Sequence, residues 1–203
     1  MIKVCGITNL ADALLAVEGG ATAIGFNFYE HSKRYIPPEA AAEITAGLPA
    51  SVARIGVFVN EAPAAIRRIA ALAGLDVAQL HGEETAAAAP PGIRWWKAFR
   101  IDANFDAARL DEFPNAEAFL FDGPAGGEYG GSGKPFAWTI AAGMKHRIVI
   151  AGGLDATNVR GAIAQARPWG VDACSRLESS PGRKDRTRML EFLKAALCEE
   201  PPD

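Results

Sequence analysis

The chain has 203 residues, 49% hydrophobic and 22% charged, with a formal net charge of −3. That balance supports a buried core and excludes a disordered chain. No run of five or six like charges offers a nucleic-acid or membrane surface, and no stretch of ~18 apolar residues can cross a bilayer. A small anionic ligand remains compatible with the mildly acidic total, because a local cationic or backbone N–H pocket can hold one.

Taken in order, β-branched and aromatic runs alternate with alanine-rich stretches of helical period. The predicted strands are Ile2–Ile7, Ala23–Phe28, Ala53–Val59, Val77–Leu80, Arg94–Phe99, Ala118–Asp122, Arg147–Ala151 and Gly170–Cys174. Predicted helices between and after them include Leu10–Glu18, Pro38–Leu48, Ala62–Ala73, Thr157–Ala166 and Asp185–Leu197. Asn9, Asn60 and Asp155 read as N-caps, and Gly19-Gly20 and Gly74 as helix stops.

Eight strands with crossovers predict a parallel sheet. An open doubly wound sheet is the rival. The count of eight, and the absence of GxGxxG after the first strand, favour an α/β chain closed into a single (β/α)8 TIM barrel. The expectation is one domain over 1–203 with a short frayed tail from about Cys198, and no second domain or linker. Cys5, Cys174 and Cys198 are far apart and odd in number, and no CxxC or Cys/His cluster is present. Reduced thiols, no metal and a cytoplasmic protein are expected, since the first residues carry no signal-peptide pattern either.

A barrel puts its chemistry where strands end, on the C-terminal face. Cys5-Gly6, Asn27, His81-Gly82, Asp122-Gly123, Gly152-Gly153 and Ser175 all fall there. Cys5 is either an inert buried thiol or a base. Lys3, two residues earlier on the same strand face, is placed to favour its thiolate. Asp122 follows three apolar residues, a setting in which a carboxyl keeps its proton more readily and suits general acid catalysis; the plainer reading is an N-cap or turn aspartate. Gly152-Gly153 and Ser175, after the seventh and eighth strands, would offer backbone N–H groups to a phosphate, or merely make tight turns. Arg34 could fork onto a substrate carboxylate or sit solvated. His81 and the four tryptophans read most simply as packing residues. Gly130–Lys134 is no nucleotide P-loop, because Glu128 and Pro135 stand where that motif needs Gly and Ser or Thr. It reads instead as a glycine-rich loop over the site.

Nine pieces, in order, resemble the phosphoribosylanthranilate isomerase family over almost the whole chain. They begin with Lys3–Asn9, Ser32–Ile36, Gly56–Asn60, Gln79–Glu83 and Phe121-Asp122. Tyr129–Lys134, Gly152–Leu154, Val171-Asp172 and Pro181–Asp185 complete them. The resemblance implies an Amadori rearrangement of N-(5-phosphoribosyl)anthranilate in tryptophan biosynthesis, without cofactor. Its substrate is a small phosphorylated molecule, and the protein a monomer or homodimer. It implies Cys5 as general base, Asp122 as general acid and Arg34 on the anthranilate carboxylate. Gly152, Gly153 and Ser175 would hold the phosphate, with Gln79 and Asp172 as further pocket residues. Two alternatives stand beside it: a related sugar-phosphate isomerase or synthase barrel, and a catalytically silent barrel binding a phosphorylated metabolite. The chain departs from the family pattern at Arg176, where a glycine is usual beside the phosphate, and at Cys174, Pro135 and Ala137.

Overall fold

The computed structural model describes residues 1–102, 104–123 and 138–198. The glycine-rich loop at Gly130–Lys134, Pro135 and Ala137, and the end of the predicted tail lie outside them. Eight parallel strands close into a barrel in chain order: β1 (Ile2–Val4), β2 (Ala23–Asn27), β3 (Ala53–Phe58), β4 (Val77–Leu80), β5 (Arg94–Arg100), β6 (Ala118–Asp122), β7 (Ile148–Ile150) and β8 (Gly170–Ala173). β8 returns to β1 through the pairs Ile2 with Val171 and Lys3 with Asp172, which is what closes the sheet. A small antiparallel pair, β9 (Glu178–Ser180) with β10 (Arg183–Lys184), follows β8.

The helices α1 (Leu10–Glu18), α2 (Pro38–Ala46), α3 (Pro63–Leu72), α4 (Val159–Ala166) and α5 (Arg186–Leu197) fall within the predicted segments. After β4, β5 and β6 the described helical structure is short 3-10 turns instead, at Ala86–Ala88, Ala107–Glu112 and Trp138–Ala141. Pro90 and Pro91 stop the first of these before a helix can build. Asn9 caps α1 as expected, its side chain accepting from the Asp12 N–H. The other two N-caps fall elsewhere. Ala62 precedes α3, whose first residue is Pro63, and Asn60 (φ 52°) instead accepts from the Glu83 N–H. α4 begins after Asn158, while Asp155 turns the loop by accepting from Thr157.

Two apolar layers hold the barrel. Outside it, strand residues such as Ile24, Phe26, Phe58 and Phe119 pack with Ala13, Ile66 and Phe192 of the helices. Inside, Ala23, Ile55, Val77, Trp96, Leu120 and Val149 fill the lower part. Period-2 alternation carries this inner face upward. Continuing it leads from Val77 to Gln79, from Leu120 to Asp122, from Val149 to Ala151, and from Lys3 to Cys5. The site is therefore the top layer of the core. Of the four tryptophans only Trp95 and Trp96 are buried; Trp169 is exposed and lies edge-on to Trp96, beneath the Arg147 guanidinium.

Candidate active site

All eight predicted site residues line one pocket at the C-terminal mouth: Cys5, Arg34, Gln79, Asp122, Gly152, Gly153, Asp172 and Ser175. They come from strand ends or from the loops that follow them, as the barrel demands.

On the β1–β8 side, Lys3 is fully buried and its Nζ donates to Asp172 Oδ2 at 3.0 Å. Burial alone would lower the ammonium, but Asp172 and the Cys5 sulfur outweigh it and hold Lys3 above its ordinary range. Burial pushes Asp172 up to about 7 against the pull of Lys3, with the Cys5 charge adding to the rise. Its second oxygen, Oδ1, is buried and has no hydrogen-bond partner among the described residues. Cys5 lies directly above Lys3. A hydrogen bond from Cys174, joined by the charge of Lys3 and opposed by burial, holds the Cys5 thiol well below its ordinary value. Gly25 makes room for this thiol, since a Cβ there would stand 2.7 Å from Cys5 Sγ.

Beyond Cys174 lies a cluster that the residue types alone did not single out. Glu178 of β9 accepts from Lys184 Nζ of β10 at 3.1 Å and is gripped by Arg34 through Nε (2.9 and 3.0 Å) and Nη2 (2.7 Å). Burial opposes the Glu178 charge, but Arg34 and Lys184 keep its carboxyl below the usual range. Arg34 therefore does not wait as a loose surface cation. Its guanidinium is oriented by Glu178 through Nε and Nη2, and Nη1 takes no part in that fork.

The β4–β7 side is built differently. Gln79 Nε2 lies 3.0 Å from His81 Nδ1. An amide NH2 only donates, so Nδ1 accepts and Nε2 carries the ring proton. That Nε2 is 3.5 Å from Asp122 Oδ2, which makes His81 a neighbour of the candidate acid rather than the packing residue expected. Gln79 Oε1 is also buried and has no partner among the described residues. The His81-Gly82 turn is pinned from below, where Lys97 Nζ donates to Gly82 O (2.6 Å) and Glu84 Oε2 (2.8 Å), and Glu84 accepts from the Gly82 N–H.

Gly152 joins the acid to the anion edge. Its φ is +87°, and a Cβ there would lie 2.3 Å from Gly123 N and 3.0 Å from Asp122 Oδ1. Only glycine allows this backbone to approach so closely. Among the described residues, nothing accepts from the backbone N–H of Gly152 or Gly153. Arg176 Nη1 is 3.0 Å from Asp155 Oδ2, so it ties the β8 loop to the β7 loop.

A buried thiol biased to its anion and a carboxyl with a histidine neighbour share one pocket with a glycine-lined N–H edge. This defines a (β/α)8-barrel enzyme equipped for proton transfer on an anionic ligand. The comparisons identify which. The family model for N-(5'phosphoribosyl)anthranilate (PRA) isomerase matches residues 2–195. The N-(5'-phosphoribosyl)anthranilate isomerase of Solibacter usitatus is 56% identical over 97% of this chain and 96% of its own. The crystal structure of phosphoribosyl anthranilate isomerase from Thermotoga maritima is 43% identical, with a TM-score of 0.89, covering 96% of this chain and 97% of that one. Another solved phosphoribosyl anthranilate isomerase is in complex with reduced 1-(o-carboxyphenylamino)-1-deoxyribulose 5-phosphate. It is 39% identical with a TM-score of 0.86, over 96% of this chain and 97% of its own. The chain belongs to the phosphoribosylanthranilate isomerase family, and is an isomerase of tryptophan biosynthesis.

Proposed function

We propose that Cys5 and Asp122 carry out the Amadori rearrangement of N-(5'-phosphoribosyl)anthranilate, as base and acid respectively. The observation that carries this reading is their shared pocket, with Cys5 in a cation-rich setting and Asp122 beside His81. Asp122 gives its proton to the furanose ring oxygen. The C1′–O bond breaks as the anilino nitrogen lone pair forms C1′=N, and the carboxylate left behind faces the His81 Nε2–H. Cys5 thiolate then takes the C2′ proton, giving the enolamine, which tautomerises to the 1-deoxyribulose ketone. Arg34 Nη1 receives the anthranilate carboxylate, and the N–H edge at Gly152, Gly153 and Ser175 receives the phosphate. Gln79 Oε1 and Asp172 Oδ1, both buried acceptors without partners among the described residues, would meet sugar hydroxyls. The three free cysteines agree with a reducing, cytoplasmic setting, and no described helix is long and apolar enough to cross a membrane.

The test is turnover of freshly prepared phosphoribosylanthranilate, followed by loss of its anthranilate fluorescence. A rate above the uncatalysed background is expected. Background rate from folded protein would overturn the reading and leave a barrel that only binds a phosphorylated metabolite.

A further inference from the structure

Lys97 and Glu84 are both buried and paired with each other, yet the chemistry above uses neither. Along β5, Trp96 and Ala98 pack inside the barrel, so alternation sends Lys97 to the outer layer with Phe99. Its ammonium lies 5.9 Å from the Phe99 ring centroid and 6.0 Å from that of Phe113. An ion pair is an expensive occupant of such a site. Stability alone does not call for one, because well-packed apolar side chains often serve as well.

What the pair does is visible in its hydrogen bonds. Lys97 Nζ donates to Leu80 O (3.4 Å), Gly82 O (2.6 Å) and Glu84 Oε2 (2.8 Å), which uses all three of its protons. Glu84 Oε1 accepts from the Asn60 N–H (2.7 Å), and Oε2 from the Gly82 N–H (2.9 Å). Asn60, at φ 52°, accepts in turn from the Glu83 N–H at 2.7 Å. Gly82 has to be glycine here, since a Cβ would collide with the Asn60 side chain. The ends of β3, β4 and β5 are thus tied to one carboxylate. No α-helix follows β4, only the Ala86–Ala88 turn, so the tie does the anchoring that a helix start would otherwise do.

We propose that Lys97 and Glu84 are positioning residues for the isomerisation: their ion pair fixes the His81-Gly82 turn and so aims His81 Nε2–H at Asp122. This rests on Asp122 being the acid. His81 Nε2 is buried, has no hydrogen-bond partner among the described residues, and stands 3.5 Å from Asp122 Oδ2. That gap is longer than a formed hydrogen bond. It closes when Asp122 has given up its proton and its carboxylate accepts from Nε2–H. A shift of the turn by an ångström would put the donor out of reach. His81 is therefore held at both ends, by the Lys97–Glu84 tie at Gly82 and by Gln79 Nε2 at its Nδ1.

The experiment measures kcat and KM for phosphoribosylanthranilate in a double-mutant cycle: parent, Lys97→Met, His81→Ala and the two combined, with Asp122→Asn beside them. Lys97→Met and His81→Ala should each lower kcat about tenfold, with KM changed little because Arg34 and the N–H edge are untouched. In the His81→Ala background, Lys97→Met should lower kcat no further. Lys97→Met alone leaves Glu84 buried without its partner, so the cycle is repeated with Lys97→Met and Glu84→Gln together, which buries no charge. That variant should keep a Tm near the parent's and show the same loss of kcat. Parent kcat in Asp122→Asn would remove the acid, and this proposal with it. Where Asp122→Asn does lose activity, parent kcat in the Lys97 variants or in His81→Ala would overturn the proposal alone. So would an equal further fall in the His81→Ala background, or failure of both Lys97 variants to fold, since these mark a merely structural pair.

Discussion

The two flanks of the pocket solve opposite electrostatic problems. Around Cys5, three cations (Lys3, Arg34 and Lys184) are tied to two carboxylates by bonds of 2.7–3.1 Å, and a second thiol stands beside them with its sulfur 3.9 Å from Glu178 and from Lys184. Around Asp122, the partner is a histidine whose Nδ1 is occupied by Gln79 and whose Nε2 stands 3.5 Å away. A base that must be anionic before substrate arrives needs fixed positive charge beside it. An acid that must still hold its proton is better served by a neutral donor, useful only after the proton has left. The β1–β8 flank surrounds the proposed base with fixed positive charge, and the β4–β7 flank sets a histidine beside the proposed acid.

The largest effect should come from the two groups themselves. Cys5→Ala and Asp122→Asn are each expected to lower kcat/KM at least ~10²-fold. The acidic limb of the pH profile should vanish with Cys5→Ala and survive in Asp122→Asn, because the thiol is the group that neighbouring charge holds below its ordinary value. Loss of the same limb in both variants would erase the distinction between the flanks.

Next comes the scaffold of the base flank. Glu178→Gln leaves Lys184, whose side chain is fully buried, and Arg34 without their shared counter-charge. Breaking a buried pair from one side costs ~3–5 kcal/mol, so a clear fall in Tm is expected. Arg34, no longer oriented, should raise KM for the anthranilate-bearing substrate. A stability loss with KM unchanged would show that Glu178 holds the β9–β10 hairpin without aiming Arg34.

Lys3→Met tests the sign of the charge effect. The Lys3 ammonium favours the charged form of Cys5 and so keeps its pKa low. Removing it should raise that pKa and weaken the preference for the thiolate. Activity should therefore fall near neutrality and recover as pH rises. An acidic limb that stays in place would mean that Cys174, rather than Lys3, carries the bias.

The fold was legible because both periodicities were clean. Val77–Leu80 and Ala118–Asp122 are strands with the predicted limits, and the alternation that defines them also points Gln79 and Asp122 inward. Asn60 misled because an Asn near a helix start looks like a cap, whereas Pro63 already fixes the first turn and frees Asn60 for the β4 loop. His81 looked like packing because nothing local shows that Gln79 presents its Nε2 to a strand-end carboxylate. The Glu178 cluster was the least legible part. Arg34 and Glu178 are 144 positions apart, and their meeting depends on how β9 and β10 fold back over the barrel mouth. Ion pairs of that kind leave no spacing signal.

Arg176 marks the edge between the flanks, and its expected effect is the smallest. An arginine in a position where glycine is usual would matter greatly if it crowded the phosphate. Its Nη1 instead pairs with Asp155 at 3.0 Å, and nearly half of its side chain is exposed. Burial raises the Asp155 carboxyl, but the Thr157 hydrogen bonds and then Arg176 bring it below its ordinary value, so the loop stays anionic at neutral pH. Water screens a pair this exposed, and its worth to stability is at most ~1 kcal/mol. Arg176→Gly should therefore leave Tm within a few degrees of the parent. It should also leave the acidic limb of the pH profile unchanged, because the charges that act on Cys5 are those of Lys3 and Lys184. Any effect belongs in the salt dependence of KM, where loss of one positive charge at the anion edge should flatten the slope. A large fall in kcat would place Arg176 on the reacting atoms and make the N–H edge a guanidinium site.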